Sequence, residues 1–383
     1  MNPQKSWPRY AAAVLGFRNY WYPALLSSQI RRRPVFVKIL GEELAFFRRD
    51  GKVYCLEGRC AHRGVPLIVG RCDFPGPISC RYHGWTYDLA SGELVAAITD
   101  GPDSPLVGKV RLRTYPVEER KGVVWVYIGD DVAPPLEKDV PEEFLAEGTA
   151  VECRVRVRRG NWRLAAENGF DPAHATYLHR DAWLSLFRQM PASKGKITPE
   201  IVNGWVGYTQ DRIMVADYPG LGRYPKARWW KRGRGGAKTQ LRLPACLRVN
   251  PFPAPGIIHF EWYVPVDERR HRYFQFAVKR ATGLKALWFR MAYRLWWKWL
   301  AHVQFNNQDA WMVELMEPFY SDLGGWEKER LFRPDAGLTA WRVYAHENGR
   351  EVQRAPRVEG NGIGVDRDAV SLEAPSDYPA HSR

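Results

Sequence analysis

Cys60-Ala61-His62-Arg63 and Cys80-Arg81-Tyr82-His83-Gly84-Trp85 stand with seventeen residues between His62 and Cys80. Each motif supplies one thiol and one imidazole, so two facing loops could close four ligands around one centre from opposite sides. Two thiolates and two imidazoles hold a [2Fe–2S] cluster when both Cys bind one iron and both His the other. Replacing thiolate by neutral imidazole raises the reduction potential well above that of an all-Cys cluster. The same four side chains could build a zinc site, but zinc sites more often open with a paired-cysteine knuckle than with Cys-x-His. The iron–sulfur reading leads.

Outward from these loops the chain reads as short strands. Residues 35–40, Val-Phe-Val-Lys-Ile-Leu, read as a strand, and residues 44–47 run into Asp50-Gly51 before Val53-Tyr54. Asp-Gly between two such runs signals a hairpin. Residues 122–128, GVVWVYI, read as a last strand, and Asp130-Asp131-Val132-Ala133-Pro134-Pro135 as a linker. Residues 34–130 are therefore expected to form a small all-β domain carrying the four ligands on loops. Residues 1–33 are expected to be a helical segment packing on a second domain at residues 131–357, with a polar tail at 358–383.

The chain has 383 residues, enough for two domains with real cores, and 17 Trp. Cys55, Cys72, Cys153 and Cys246 show no disulfide-like pattern, which suits a reducing, cytoplasmic setting. Residues 11–17 are apolar but too short for a secretory leader. Residues 284–300 are apolar too, yet Lys285, Arg290, Arg294 and Lys298 exclude an ordinary membrane span. The last three fall at four-residue steps, a charged stripe on one helix face. Such a helix can lie on a membrane surface; the commoner arrangement, expected here, turns Trp288 and Leu295 inward. The formal charge is +15, with basic runs at Arg31-Arg32-Arg33 and residues 226–242, the latter with Gly233, Gly235 and Gly236 suggesting an exposed loop. Solvated surface, or a face that steers an acidic electron-donor protein, accounts for these as well as nucleic acid does.

A second constellation separates an electron carrier from an enzyme. In Glu167-Asn168-Gly169-Phe170-Asp171-Pro172-Ala173-His174-Ala175-Thr176-Tyr177-Leu178-His179, two His lie five apart and Asp171 three before the first. Two His and one carboxylate on one face of an iron leave its other positions open to oxygen and substrate. Residues five apart lie about 140° round a regular helix, so the helix is expected to break between His174 and His179. Asp171 and His174, at i and i+3, share a face. The carboxylate should come from elsewhere. Asp309, late on the helical run at 284–317, is the candidate, because an acid amid Trp299, Phe305, Trp311 and Met312 would be costly to bury unpaired.

With both motifs in view, residues 16–346 resemble the terminal oxygenase subunit of the Rieske non-haem iron ring-hydroxylating oxygenases. The resemblance implies an α+β protein: a Rieske β-domain, and a catalytic domain with an antiparallel sheet flanked by helices. It implies a [2Fe–2S] cluster at Cys60, His62, Cys80 and His83, and Fe(II) at His174, His179 and Asp309. In the family the chain resembles, an acid in the position of Asp171 bridges the cluster His of one subunit, matched by His83, to an iron His of its neighbour, matched by His174. This implies a head-to-tail homotrimer. Asn161-Trp162-Arg163-Leu164, residues 167–172, Val249-Asn250-Pro251-Phe252-Pro253 and Ala340-Trp341-Arg342 resemble the carbazole-oxidising subgroup, in which Gly169 and Phe305 match pocket positions. Phe170 is expected to join that dry wall. Two features depart from the subgroup: it has three residues between the iron His, where this chain has four, and residues 180–244 look shorter and more basic here.

The implied reaction is dihydroxylation of an apolar, polycyclic aromatic by O2, with electrons from NAD(P)H through a reductase and a ferredoxin. The same residues would serve a Rieske monooxygenase or demethylase. An electron-transfer Rieske protein without catalytic iron, and a zinc protein binding nucleic acid, are the rivals from other classes.

Overall fold

The computed structural model describes residues 6–31, 33–183, 196–210, 217–223 and 237–354. The basic loop expected around Gly233 and the tail at 358–383 lie outside the described residues. Helix α1 (Pro8–Ala12) leads to strand β1 (Tyr20–Leu26), then β2 (Val35–Ile39), β3 (Glu42–Arg49), β4 (Lys52–Glu57), β5 (Ile78–Ser79), β6 (Trp85–Tyr87), β7 (Leu94–Ala97), β8 (Val117–Arg120) and β9 (Val123–Ile128). These strands form three antiparallel three-stranded sheets, β1-β9-β8, β2-β3-β4 and β5-β6-β7. Asp50 and Gly51 both have positive φ, and Arg49 pairs with Lys52, so the expected hairpin forms as a two-residue turn. The N-terminal segment is less helical than its composition suggested. Only Pro8–Ala12 is α-helical, while Tyr20–Leu26 joins the β-domain by pairing with β9. Its run of large apolar residues is what a strand buried on both faces requires.

The second region begins with β10 (Thr149–Arg159), followed by α2 (Trp162–Phe170) and the short α3 (His174–Tyr177). Next come β11 (Ile197–Val202), β12 (Trp205–Gln210), β13 (Lys238–Arg242), β14 (Cys246–Asn250), β15 (Ile258–Pro265) and β16 (Arg270–Arg280). One seven-stranded antiparallel sheet results, in the order β10-β16-β15-β14-β13-β12-β11. A single helical run closes it: α4 (Gly283–Ala292), a π-helical stretch Tyr293–Phe305, and α5 (Asn306–Ser321); α6 (Ala336–Asn348) follows.

The main core joins the two regions. Trp125 of β9 meets Trp262 of β15 edge to face, with centroids 5.4 Å apart, and Phe144 packs on Phe276 at 5.0 Å. Each such aromatic contributes roughly 1.5–3 kcal/mol by leaving water. A separate core of Phe47, Leu56, Leu67, Ile78, Tyr87 and Leu94 underlies the cysteine loops.

The helical run departs from expectation. Trp288 and Leu295 do not face inward: they are 70% and 78% exposed. As far as residue 299 a narrow line through Phe289, Tyr293 and Trp297 packs, against Ala150, Ile257 and Ala277, and burial resumes at Leu300, Ala301 and His302. The i→i+5 bonding of the π stretch changes the angular step, so a stripe counted at helical spacing does not continue through it. Among the described residues no helix is long and apolar enough to cross a membrane.

Candidate active site

The two cysteine loops are built alike. Gly64 N donates to Cys60 O at 2.9 Å and Gly84 N to Cys80 O at 3.0 Å, and both glycines have φ near +70°. Each loop is then closed from beyond: Cys60 N donates to Val65 O at 2.9 Å and Cys80 N to Trp85 O at 2.7 Å. Left-handed backbone at the fifth residue is what turns each Cys and its His towards one point, and a Cβ at Gly84 would also strike Ile98 at 2.7 Å. Gly64 was the sequence signal left unread; it repeats Gly84.

Cys60 and Cys80 are buried, while His62 is exposed and His83 partly so. The imidazole centroids lie 4.6 Å apart, and His62 stacks on Trp85 at 4.8 Å. The hydrogen bond from Cys80, with help from the Tyr87 hydroxyl 3.2 Å from Cys60 Sγ, pulls the Cys60 thiol down to about 6. Cys80 rises for the same reason, so the pair shares one proton. Two thiols forced this close, opposite two imidazoles, form a donor set that fits a [2Fe–2S] cluster. The remaining thiols Cys55, Cys72, Cys153 and Cys246 are free.

The second constellation gathers around Asp309. His174 starts α3, which gives way after one turn to a tighter 3-10 turn, Leu178–Asp181, carrying His179. The expected break is therefore present. Asp309 lies in the first turn of α5, beyond the π stretch, and its side chain is 15% exposed. Its Oδ1 is 3.2 Å from His174 Nε2 and 3.1 Å from His179 Nε2. All three donor atoms lie within 4.8 Å of one another. His179 Nε2 is nonetheless buried without a hydrogen bond. Ligand atoms that converge without bonding one another are the signature of a metal site, and two His with one carboxylate suit non-haem Fe(II).

Partners outside this trio set its tautomers. His179 Nδ1 donates to Gln308 Oε1 at 2.9 Å, which leaves the Nε2 lone pair free. Asn168 Nδ2 donates to Asp309 Oδ1 at 3.2 Å. Burial opposes charge on Asp309, but His179 and His174 outweigh it and hold the carboxyl well below its usual range. For His174, burial acts downward and the carboxylates of Asp171 and Asp309 carry it up to about 10. Neither Gln308 nor Asn168 stood out from the sequence, although each adjoins a residue that did.

Asp171 caps the C-terminus of α2 and accepts from Ala173 N at 2.6 Å; its Oδ2 is 3.6 Å from His174 Nδ1. That nitrogen has no hydrogen bond within this subunit. The pocket candidates separate. Phe305 stacks on His179 with centroids 3.6 Å apart. Gly169 touches Tyr263, whose hydroxyl would lie 2.2 Å from an added Cβ. Phe170 is wholly buried in the core against Tyr208 and Gly337.

A buried ion cluster holds α2 in place. Arg342 of α6, 1% exposed, donates to both Glu167 oxygens at 2.9 and 2.6 Å and also pairs with Glu329. Tyr10 of α1 donates to Glu167 Oε1 at 2.7 Å. This cluster lies one helical turn from Asp171.

Cysteine and histidine loops on a β-domain, a converging donor trio in an antiparallel-sheet domain, and the joined core define an oxygenase class, and the chain belongs to the Rieske ring hydroxylases. The description "Rieske [2Fe-2S] domain" matches residues 20–116, and "Homotrimeric ring hydroxylase" matches residues 127–195 and 193–353. The terminal oxygenase component of carbazole 1,9a-dioxygenase from Metapseudomonas resinovorans is 38% identical over 93% of this chain and 97% of its own length. Its counterpart from a Sphingomonas species is 40% identical over 92% and 97%. Among solved structures, a reduced oxygenase–ferredoxin complex of carbazole 1,9a-dioxygenase superposes with a TM-score of 0.84 at 36% identity, covering 94% of this chain and 97% of that one. The family's members are oxidoreductases that use a [2Fe–2S] cluster, non-haem iron and electrons delivered through a ferredoxin.

Proposed function

We propose that this chain is the terminal oxygenase of a multicomponent system that dihydroxylates a flat polycyclic aromatic of carbazole's kind. The observation that carries the reading is the converging donor trio His174, His179 and Asp309, with Phe305 stacked on His179. Cys60, His62, Cys80 and His83 would hold the cluster, in a β-domain that takes in Tyr20–Leu26 and runs to about residue 130, and the trio would hold the iron in the domain that follows. Bound there, the two centres supply stored electrons and oxygen activation. The protein's part is to place and to exclude. Phe305 offers an apolar plane against His179 on which a planar ring can lie, keeping water away. Gly169 lets α2 press onto Tyr263, fixing the distance between helix and sheet. Asp171, with one oxygen tied to Ala173 N, points its other towards His174 Nδ1 and is offered to His83 of a neighbouring copy in the trimer. The setting we assign is the cytoplasm, supported by four free thiols.

The test is turnover of carbazole under 18O2 by the reduced, iron-loaded protein. Two labelled oxygens in the product support the reading. One labelled oxygen replaces it with monooxygenation, and no product from fully loaded enzyme removes carbazole.

A further inference from the structure

We infer that the helical run Gly283–Phe305 docks this enzyme onto an anionic lipid surface. Leu284, Trp288, Leu295 and Trp296 are 84%, 70%, 78% and 57% exposed, and Trp299 is 43% exposed. A helix this apolar on its outer side is ordinarily buried; here, between residues 283 and 299, the buried side chains are Phe289 and Tyr293.

The charges say what covers it. Residues 269–308 contain no Asp or Glu and nine Lys or Arg. Lys285, Arg290 and Lys298 have no carboxylate partner among the described residues, and Arg294 reaches only Glu152, at 3.5 Å. A solvated surface helix mixes both signs. This one interleaves tryptophans with cations alone, the pattern of a helix lying in the interface with its rings at headgroup depth and its ammonium and guanidinium groups on lipid phosphates. A second copy meeting this face with its own like face is a poorer occupant, because it brings the same unpaired cations to meet these. The face lies on the same helical run as the candidate site: Trp299 packs edge-on against Trp183 at 6.2 Å, and Phe305 stacks on His179. The docking itself does not rest on the substrate proposed above.

The experiment is flotation of the holoprotein with vesicles of phosphatidylcholine alone or mixed with phosphatidylglycerol. The expected result is flotation with the mixed vesicles, weakened by salt and by omitting phosphatidylglycerol. Arg290→Gln with Lys298→Gln should lower partitioning about 25-fold, at roughly fivefold per cation near an anionic leaflet. Trp288→Ser with Leu295→Ser should abolish it while the cluster's visible spectrum is kept. Brominated lipid should quench the wild-type tryptophan fluorescence, a readout that needs no substitution. Failure of the wild type to float or be quenched would overturn the inference. So would equal flotation of wild type and variants. A wild-type assembly larger than a trimer that Trp288→Ser with Leu295→Ser reduces would assign the face to contacts between copies instead. None of these outcomes depends on turnover of carbazole.

Discussion

The cysteine loops and the iron-type site are assembled over very different stretches of chain. The four proposed cluster donors lie within residues 60–83, on two turns closed by their own backbone hydrogen bonds. The other trio joins residues 174 and 179 to residue 309, and nothing local brings them together. Helix packing and the buried Arg342 cluster do that work. The first site is a property of two loops; the second is a property of the whole domain. Damage should therefore divide them.

The widest division is expected from Asp309→Ala. Removing the carboxylate on which both imidazoles converge should remove mononuclear iron and all measurable turnover, while the visible absorption of the cluster stays. Loss of the cluster signal alongside iron would mean that the two sites are not independent. Asp171→Asn should divide function rather than occupancy: both centres load, yet turnover nearly vanishes. Normal turnover in that variant would take Asp171 off the path between subunits.

Arg342→Met tests whether the second site depends on distant packing. It leaves Glu167 and Glu329 as buried carboxylates without their partner, which costs about 3–5 kcal/mol. Urea unfolding should show that loss, and iron occupancy should fall before the cluster bleaches. Acid offers a related test without substitution. The buried histidines His179, His259, His271 and His302 all belong to the catalytic region, whereas His62 and His83 lie at or near the surface. Burial pushes His271 down to about 4 and His302 well below its usual value. A depressed value in the fold means that the unfolded chain takes up the proton first. This stability is present above about pH 6.5 and is lost as pH falls towards 4. His271 alone accounts for roughly 2 kcal/mol by pH 5. Its Nδ1 donates to Gly160 O at 2.8 Å, just before α2, so mild acid should loosen the iron side first. Thermal melts at pH 7 and pH 5 followed at the cluster band and in the near ultraviolet check the order; His271→Gln should flatten the difference.

The same contrast explains what could be read from the sequence. The cluster loops were legible because spacing alone fixes which donors meet, and the Asp50-Gly51 hairpin because two positive φ angles demand those residues. The break between His174 and His179 followed from helix geometry. Asp309 was reachable as a costly buried acid, yet the partners that relieve the cost could not be located without the fold. The exposed side of residues 284–300 was misjudged because apolar content says that a surface leaves water, not what it meets. Tyr20–Leu26 became a strand through pairing with residues a hundred positions away, which no local pattern contains.

The smallest effect should come from Gln308→Ala, and it sharpens the comparison most. Gln308 is not one of the three donors; it accepts from His179 Nδ1 at 2.9 Å. Without that acceptor the imidazole loses the bond that fixes its tautomer and orientation, and a proton on Nε2 would block coordination. Outer partners of this kind are worth about 10–100-fold in metal affinity. Fe(II) titration of the apoprotein should show a loss in that range, with cluster content unchanged and folding stability within about 1 kcal/mol of wild type. Gln308→Glu retains an acceptor and should recover most of the affinity. An unchanged affinity in Gln308→Ala would mean that Phe305, stacked on the same ring, orients His179 by packing alone.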